Sequence, residues 1–170
     1  MKLVIASDIH GSAKWCREVM SIIEREVPDK VVLLGDLLYH GPRNPLPDEY
    51  APKEVAAMLN SMADQVMAVR GNCEAEVDQM MLDFPCMADY AWIIDSDHQL
   101  YCTHGHLWDP EKLPPVAKGT AFVYGHFHVK RNEMGEWIRL FNPGSVGLPK
   151  DGTHSVGLYQ DGEFSFIELG

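Results

Sequence analysis

Nowhere in this sequence do apolar residues run for the roughly eighteen positions that a membrane-crossing helix needs. The opening MKLVIASDIHG has only a short apolar run before Asp8, too brief for the core of a secretion signal. Membrane anchorage and export are therefore not expected, and the cytoplasm is. Cysteine is scarce as well: Cys16, Cys73, Cys86 and Cys102 form no C-x-x-C pair. A disulfide framework and a thiolate zinc knuckle are both excluded, and the four thiols read as free in a reducing compartment. Basic residues are few, 14 Lys plus Arg against 25 Asp plus Glu, for a formal net charge of −11. That sign argues against nucleic-acid polymers and anionic membranes as partners, but not against small phosphorylated molecules if acids are spent on holding metal ions. Repeats, low-complexity tracts and linkers are absent too, so residues 1–170 are expected to form a single domain, long enough to bury about two-thirds of its surface.

What is present is a series of short apolar runs that stop at polar residues. Residues 3–7 form a continuous apolar run ended by Asp8, His10 and Gly11, the pattern of a strand covered on both faces. Trp15, Val19, Ile22 and Ile23 recur at helical spacing over residues 12–26, with Ser12 as N-cap and Pro28 beyond the end. A second buried strand over 31–34 ends at Gly35-Asp36, which makes a β-α-β unit and an α/β class. Residues 39–52 carry four prolines and must be an irregular loop. A helix over 53–62 and a strand over 65–69 lead into Arg70-Gly71-Asn72. Residues 91–95 and 99–103 read as an antiparallel pair running into His104-Gly105-His106. Residues 121–124 run into Gly125-His126-Phe127-His128, and strands are expected at 136–141, 155–159 and 163–169, the last two joined by Asp161-Gly162.

Five strand ends thus deliver Asp8 and His10, Asp36, Asn72, His104 with His106, and His126 with His128. Ligands of open α/β sheets sit at such ends, and the glycine beside each motif lets the backbone turn sharply there. One H-x-H alone is more often a surface pair, but five such ends in one chain point to a site. Carboxylates, an amide oxygen and imidazoles, with no obligatory thiolate, suit Mn²⁺, Fe²⁺ or Zn²⁺ at a hydrolytic centre. Seven candidate ligands exceed the needs of one ion, so two ions sharing a carboxylate are expected. Such a pair, about 3.5–4 Å apart, is the clamp used in hydrolytic phosphoryl transfer.

The order D-x-H, G-D, G-N, H-G-H, G-H-x-H is similar to the calcineurin-like metallophosphoesterase superfamily. The segments YHGPRNPLP, RGNCE, HGHLW, VYGH and NPGSVGLPK resemble its small bacterial phosphodiesterases of the YfcE type, over nearly the whole chain. The resemblance implies a four-layer αββα sandwich with two mixed sheets, and a homo-oligomer. It also implies that Asp8, His10, Asp36 and His128 hold one divalent metal while Asp36, Asn72, His104 and His126 hold the other. Mn²⁺ is the first expectation, with Zn²⁺, Ni²⁺ or Fe²⁺ as alternatives. The implied reaction is hydrolysis of small phosphodiesters by in-line attack of a hydroxide bridging the two metals. Two divalent ions, two carboxylates and one hydroxide leave a site near +1, which fits a phosphate ligand.

One position departs from the superfamily pattern: G-N-H is usual at the third motif, its His serving as acid to the leaving group, whereas this chain has Gly71-Asn72-Cys73. Cys73 is a candidate proton donor or a packing residue, and His106 is the other candidate acid. Arg43, Asn44 and His40, in the proline-rich loop, are candidates to bind the phosphate or its substituent. Asn142, in the turn after the last His pair, is a candidate to orient a ligand. Met58, Met62, Met67, Met80 and Met81 are expected in the core, and His98 and His154 in surface turns. The competing readings are a phosphomonoesterase on the same fold, and a non-catalytic protein-binding scaffold. The latter would leave seven clustered ligands without a purpose.

Overall fold

A computed structural model describes residues 1–170. In chain order the elements are β1 (Lys2–Ala6), α1 (Ala13–Glu26), β2 (Lys30–Leu33), α2 (Pro52–Asn60), β3 (Val66–Ala68), α3 (Glu76–Met81), β4 (Tyr90–Asp95), β5 (His98–Thr103), β6 (Ala121–Val123), β7 (Lys130–Met134), β8 (Arg139–Pro143), β9 (Ser155–Gln160) and β10 (Glu163–Glu168). Two mixed sheets result, ordered β10-β9-β1-β2-β3 and β4-β5-β6-β8-β7. In the first, β1, β2 and β3 are parallel and β9 runs against β1. In the second, β5, β6 and β8 are parallel and the outer strands β4 and β7 run against them.

The continuous apolar runs are explained by alternation between two buried faces. Leu3 and Ile5 of β1, Val32 of β2 and the adjoining Leu34 pack between the sheets against Leu100, Cys102, Val123 and Phe141. Their neighbours Val4, Ala6, Val31 and Leu33 face the helices, meeting Val19 and Ile22 of α1 and Val55 and Leu59 of α2. Each aliphatic side chain buried in this way contributes about 1.5–3 kcal/mol. Helix α1 begins where expected, with the Trp15 N–H donating to Ser12 Oγ, and it stops at left-handed Val27 just before Pro28. No helix is long and apolar enough to cross a membrane.

The two mixed sheets and the helical layer are those expected, but the layer outside the second sheet holds no helix. Tyr101, Phe122, Tyr124 and Ile138 are covered there by Trp108, Leu113 and Val116 from an irregular segment. Pro110, Pro114 and Pro115 forbid a helix in that stretch. Strand β7 was not anticipated, because KRNEM has no apolar alternation and is defined by backbone pairing with β8 alone. The strand expected at 136–141 lies at 139–143. Helix α3 is too short for periodicity to reveal; the Asp78 side chain caps it by accepting the Ala75 N–H at 2.7 Å. Met80 and Met81 on it are exposed rather than in the core. His98 opens β5 rather than lying in a turn, and the His154 ring stacks on Trp15 at 3.6 Å between centroids.

Candidate metal centre

Asp8 and His10 follow β1, Asp36 follows β2, Asn72 follows β3, His104 follows β5, and His126 and His128 follow β6. These are the carboxyl ends of parallel strands from both sheets, and they meet at one edge of the sandwich. The first two ends are zipped together by backbone bonds, Asp8 N–H to Gly35 O at 3.1 Å and His10 N–H to Asp36 O at 2.9 Å. Asp8, His10, Asp36, His126 and His128 all adopt left-handed backbone, with φ of 51° to 66°. Such conformations cost on the order of 1 kcal/mol or more each for non-glycine residues and persist only where the surroundings enforce them. Part of that enforcement is space: a Cβ on Gly125 would collide with Ser7 Oγ and Asp8 Oδ2.

The polar atoms that converge here are acceptors. His10 Nδ1 lies 2.8 Å from Tyr39 O, His104 Nδ1 2.7 Å from Leu34 O, and His128 Nδ1 2.5 Å from Leu148 O. A carbonyl only accepts, so each ring carries a proton on Nδ1 and turns Nε2 inward as the nitrogen left for a metal. His10 Nε2 and His128 Nε2 are 3.3 Å apart, and they approach Asp8 Oδ1 to 3.6 and 3.1 Å. The other oxygen, Asp8 Oδ2, accepts from Ser7 Oγ at 2.6 Å and from the His126 N–H at 3.0 Å. Oδ1 is fully buried and has no donor. Carboxylate oxygens and imidazole nitrogens crowded so closely need a proton or a metal cation among them, and nitrogen and carboxylate ligands in this mixture fit a divalent transition metal.

A second cluster adjoins the first. His104 Nε2 lies 3.5 Å from Asp36 Oδ2, 3.2 Å from Asn72 Oδ1 and 3.2 Å from His126 Nδ1. Asp36 Oδ2 also lies 3.7 Å from His10 Nε2, so this one oxygen faces both clusters. Burial works to raise the Asp8 carboxyl, but the His10 and His128 rings and the charge of His104 hold it well below the usual range. Burial likewise works against a charged His104, yet the facing Asp36 and Asp8 raise its pKa to about 9, so a cation entering this cluster must displace the Nε2 proton.

Sequence reasoning passed over Glu74. Its buried carboxylate accepts the Leu37 N–H at 2.7 Å on one oxygen, and on the other the Asp36 N–H at 2.9 Å and the Gly71 N–H at 2.5 Å. It therefore clamps the Asp36 turn to the Asn72 turn. Asn142 plays a comparable part: its amide donates to Gly125 O at 2.8 Å and so braces the turn before His126 rather than facing a ligand. No local pattern marks either role, since both depend on backbone groups distant in sequence.

The clusters open into a cavity of about 350 Å³, whose lining includes Asp36, Arg43, Asn44, Cys73, His126 and Lys150. Arg43 and Asn44 are thus brought to the site as expected, although the Asn44 amide N–H is spent on His40 O at 2.9 Å. His40 does not line the cavity; its ring is held edge-on between Tyr39 and Tyr50, at 4.8 and 5.1 Å. Cys73 is half-buried at the cavity wall, where burial and the Asp36 carboxylate push its thiol pKa up. His106 lies beside His104, rings 5.4 Å apart, but outside the cavity lining. Burial and the neighbouring His104, Arg70 and His126 lower it to about 4.

A family model for the calcineurin-like phosphoesterase superfamily domain matches residues 1–161. The chain belongs to that superfamily. It is an enzyme of the phosphoesterase class, and it is 46% identical to Phosphodiesterase YfcE of Escherichia coli strain K12, over 99% of this chain and 92% of the relative. The solved structure of YfcE, a phosphoesterase from E. coli, superposes with a TM-score of 0.93 at 41% identity, covering all of both chains. An archaeal phosphodiesterase shares the superfamily fold at a TM-score of 0.71 and 20% identity, over 99% of this chain and all of that one. So does zinc-complexed Vps29 from Entamoeba histolytica, at 0.65 and 16%, over 99% and 98%.

Proposed function

We propose that this chain is a metal-dependent phosphodiesterase that hydrolyses small phosphodiesters at two divalent cations, with Mn²⁺ the preferred ion and Zn²⁺, Ni²⁺ and Fe²⁺ as alternatives. The observation that carries the proposal is Asp8 Oδ1, a buried carboxylate oxygen with no donor, facing two inward-turned imidazole nitrogens beside the Arg43 cavity. The relationship to YfcE, itself named a phosphodiesterase, supports the ester class. Asp8, His10, Asp36 and His128 would hold one ion, and Asp36, Asn72, His104 and His126 the other. Bound there, the pair would supply a bridging hydroxide for in-line attack and positive charge for the phosphate oxygens. No protein nucleophile is required.

The chain's own residues then have separable tasks. The carbonyls of Tyr39, Leu34 and Leu148 fix the ring orientation and tautomer of three histidines. Arg43 offers a fork of donors to the non-bridging phosphate oxygens. Arg43→Ala should therefore raise KM about tenfold, as expected for a lost charge-assisted hydrogen bond, while two metals per chain are retained. Unchanged kinetics would return Arg43 to solvent.

On the leaving-group side the cavity presents Cys73, while His106, its pKa lowered to about 4 by burial and its charged neighbours, lies off the lining. A thiol is a weak hydrogen-bond donor, and with its pKa pushed up it is a poorer proton donor than an imidazolium, so nitrophenyl esters should be cleaved far faster than alkyl esters. Cys73→Ala should leave bis-p-nitrophenyl phosphate hydrolysis within about threefold, and Cys73→His should raise alkyl-ester hydrolysis about tenfold or more. A large loss with both ester types in Cys73→Ala, metals still bound, would make the thiol a participant.

The whole proposal is tested by refilling chelator-stripped protein with Mn²⁺, Zn²⁺, Ni²⁺ or Mg²⁺ and assaying mono- and bis-p-nitrophenyl phosphate. Cleavage of the bis ester rising to a plateau at two equivalents of metal is expected. Preference for the mono ester would make it a phosphomonoesterase, and inertness of both with metal bound would favour the scaffold reading.

A further inference from the structure

Lys150 is the cavity residue for which no task has been given. Its backbone N–H donates to His128 O at 2.9 Å, while His128 Nδ1 donates to Leu148 O at 2.5 Å. The segment 148–150 is thereby clipped at two points to a histidine of the first cluster, so the root of the Lys150 side chain is fixed relative to the candidate metals. The adjacent acid is already engaged: Asp151 Oδ2 accepts the Lys130 N–H at 2.7 Å and pairs with Lys130 Nζ at 3.1 Å. Apart from Asp36, which faces both ligand clusters, no carboxylate lines the cavity, and no large aliphatic or aromatic hydrocarbon side chain does. Arg43 and Lys150 line it from different loops, and the acids nearest them in sequence outside the ligand clusters, Asp48 and Asp151, pair instead with Lys14 and Lys130.

Charge then exceeds what a simple diester can neutralise. Two divalent ions with Asp8, Asp36 and a hydroxide leave a centre near +1, the Glu74 carboxylate behind Asp36 removes one charge, and Arg43 with Lys150 add two, for about +2 in all. A phosphodiester carries a single negative charge. Nor does any Phe, Tyr or Trp line the cavity as a platform for stacking a base.

We propose that Lys150 is a specificity-determining residue that selects diesters whose non-reacting arm is hydrophilic and carries a second negative charge, such as a carboxylate or a further phosphate. This rests on the diesterase reading and names its substrate class. Arg43 holds the reacting phosphate, and Lys150, anchored through His128, meets the anionic arm.

The test uses metal-loaded protein and two phosphinates, which have a diester's tetrahedral monoanion but no ester bond. One bears a carboxyethyl arm and the other a trimethylammonioethyl arm, and binding is measured by calorimetry alongside bis-p-nitrophenyl phosphate hydrolysis and metal content. The native protein should bind the anionic-arm phosphinate about tenfold more tightly. Lys150→Ala should cut that preference about three- to fivefold, the scale of a solvent-accessible ion pair, and Lys150→Glu should abolish or invert it, with two metals retained in each. A native protein that does not prefer the anionic arm, or a preference unmoved in both variants, overturns the assignment to Lys150 while the diesterase reading stands. Failure of the native protein to cleave the bis ester overturns both.

Discussion

Asp36→Asn should reduce phosphodiester hydrolysis below detection and lower bound metal from two ions per chain to about one. The side chain is nearly the same shape, so what is lost is charge at one oxygen. Oδ1 is occupied by the Cys73 N–H at 2.9 Å. That leaves Oδ2 as the oxygen that approaches His10 Nε2 at 3.7 Å and His104 Nε2 at 3.5 Å. A neutral amide at this position would face the two clusters with a weaker acceptor or with an N–H, and neither can bind two cations at once. Elemental analysis of the purified variant beside kcat with bis-p-nitrophenyl phosphate checks the prediction, and a thermal melt shows that the fold survives. Full activity with two metals bound would refute the shared-carboxylate arrangement.

The second large effect is expected at a residue that touches no ligand. Glu74→Gln keeps the volume of the side chain but replaces one acceptor oxygen of the buried clamp with an NH₂ group. At least one of the N–H groups of Asp36, Leu37 and Gly71 then faces a donor in a site closed to water. An unsatisfied buried donor costs about 1–3 kcal/mol, and a lost bond to a charged group a similar amount. The melting temperature should therefore fall by roughly 5–15 °C for a chain of this length. Because the Asp36 and Asn72 turns are held together through this carboxylate, metal content and activity should fall even at temperatures where the variant is folded. Glu74→Asp, which keeps the charge but is one methylene too short to span the same three donors, should lie between. Native melting and metal content in Glu74→Gln would show that the two turns hold themselves.

Residue order in the sequence already carried the parts that chemistry dictates locally. The runs LVIA and VVLL could only be strands covered on both faces, and they are. Asp8, His10, Asp36, Asn72, His104, His126 and His128 were legible as candidates because each of their motifs stands just past an apolar run and includes a glycine, a pattern that survives in one dimension. The helix α1 was legible from its period and its Ser12 cap. Strand β7 was not, because its polar sequence is held in place by backbone pairing alone. Glu74 was not, because its partners lie as many as 38 residues away.

By itself, then, the sequence determined the order of most elements, the inventory of candidate metal-binding side chains and the excess of acid over base. Tertiary structure decided which atoms face one another. It turned three Nε2 nitrogens inward by pinning Nδ1 to distant carbonyls, left Asp8 Oδ1 without a donor, removed His40 and His106 from the cavity wall and brought Lys150 to it. The physical reason is that a side chain's identity sets what it can bind, while its direction and tautomer follow from backbone conformation and hydrogen bonds to residues far along the chain. Five of the seven candidate ligands stand in left-handed backbone that nothing local requires, and hydrogen bonds to turns distant in sequence help hold them there.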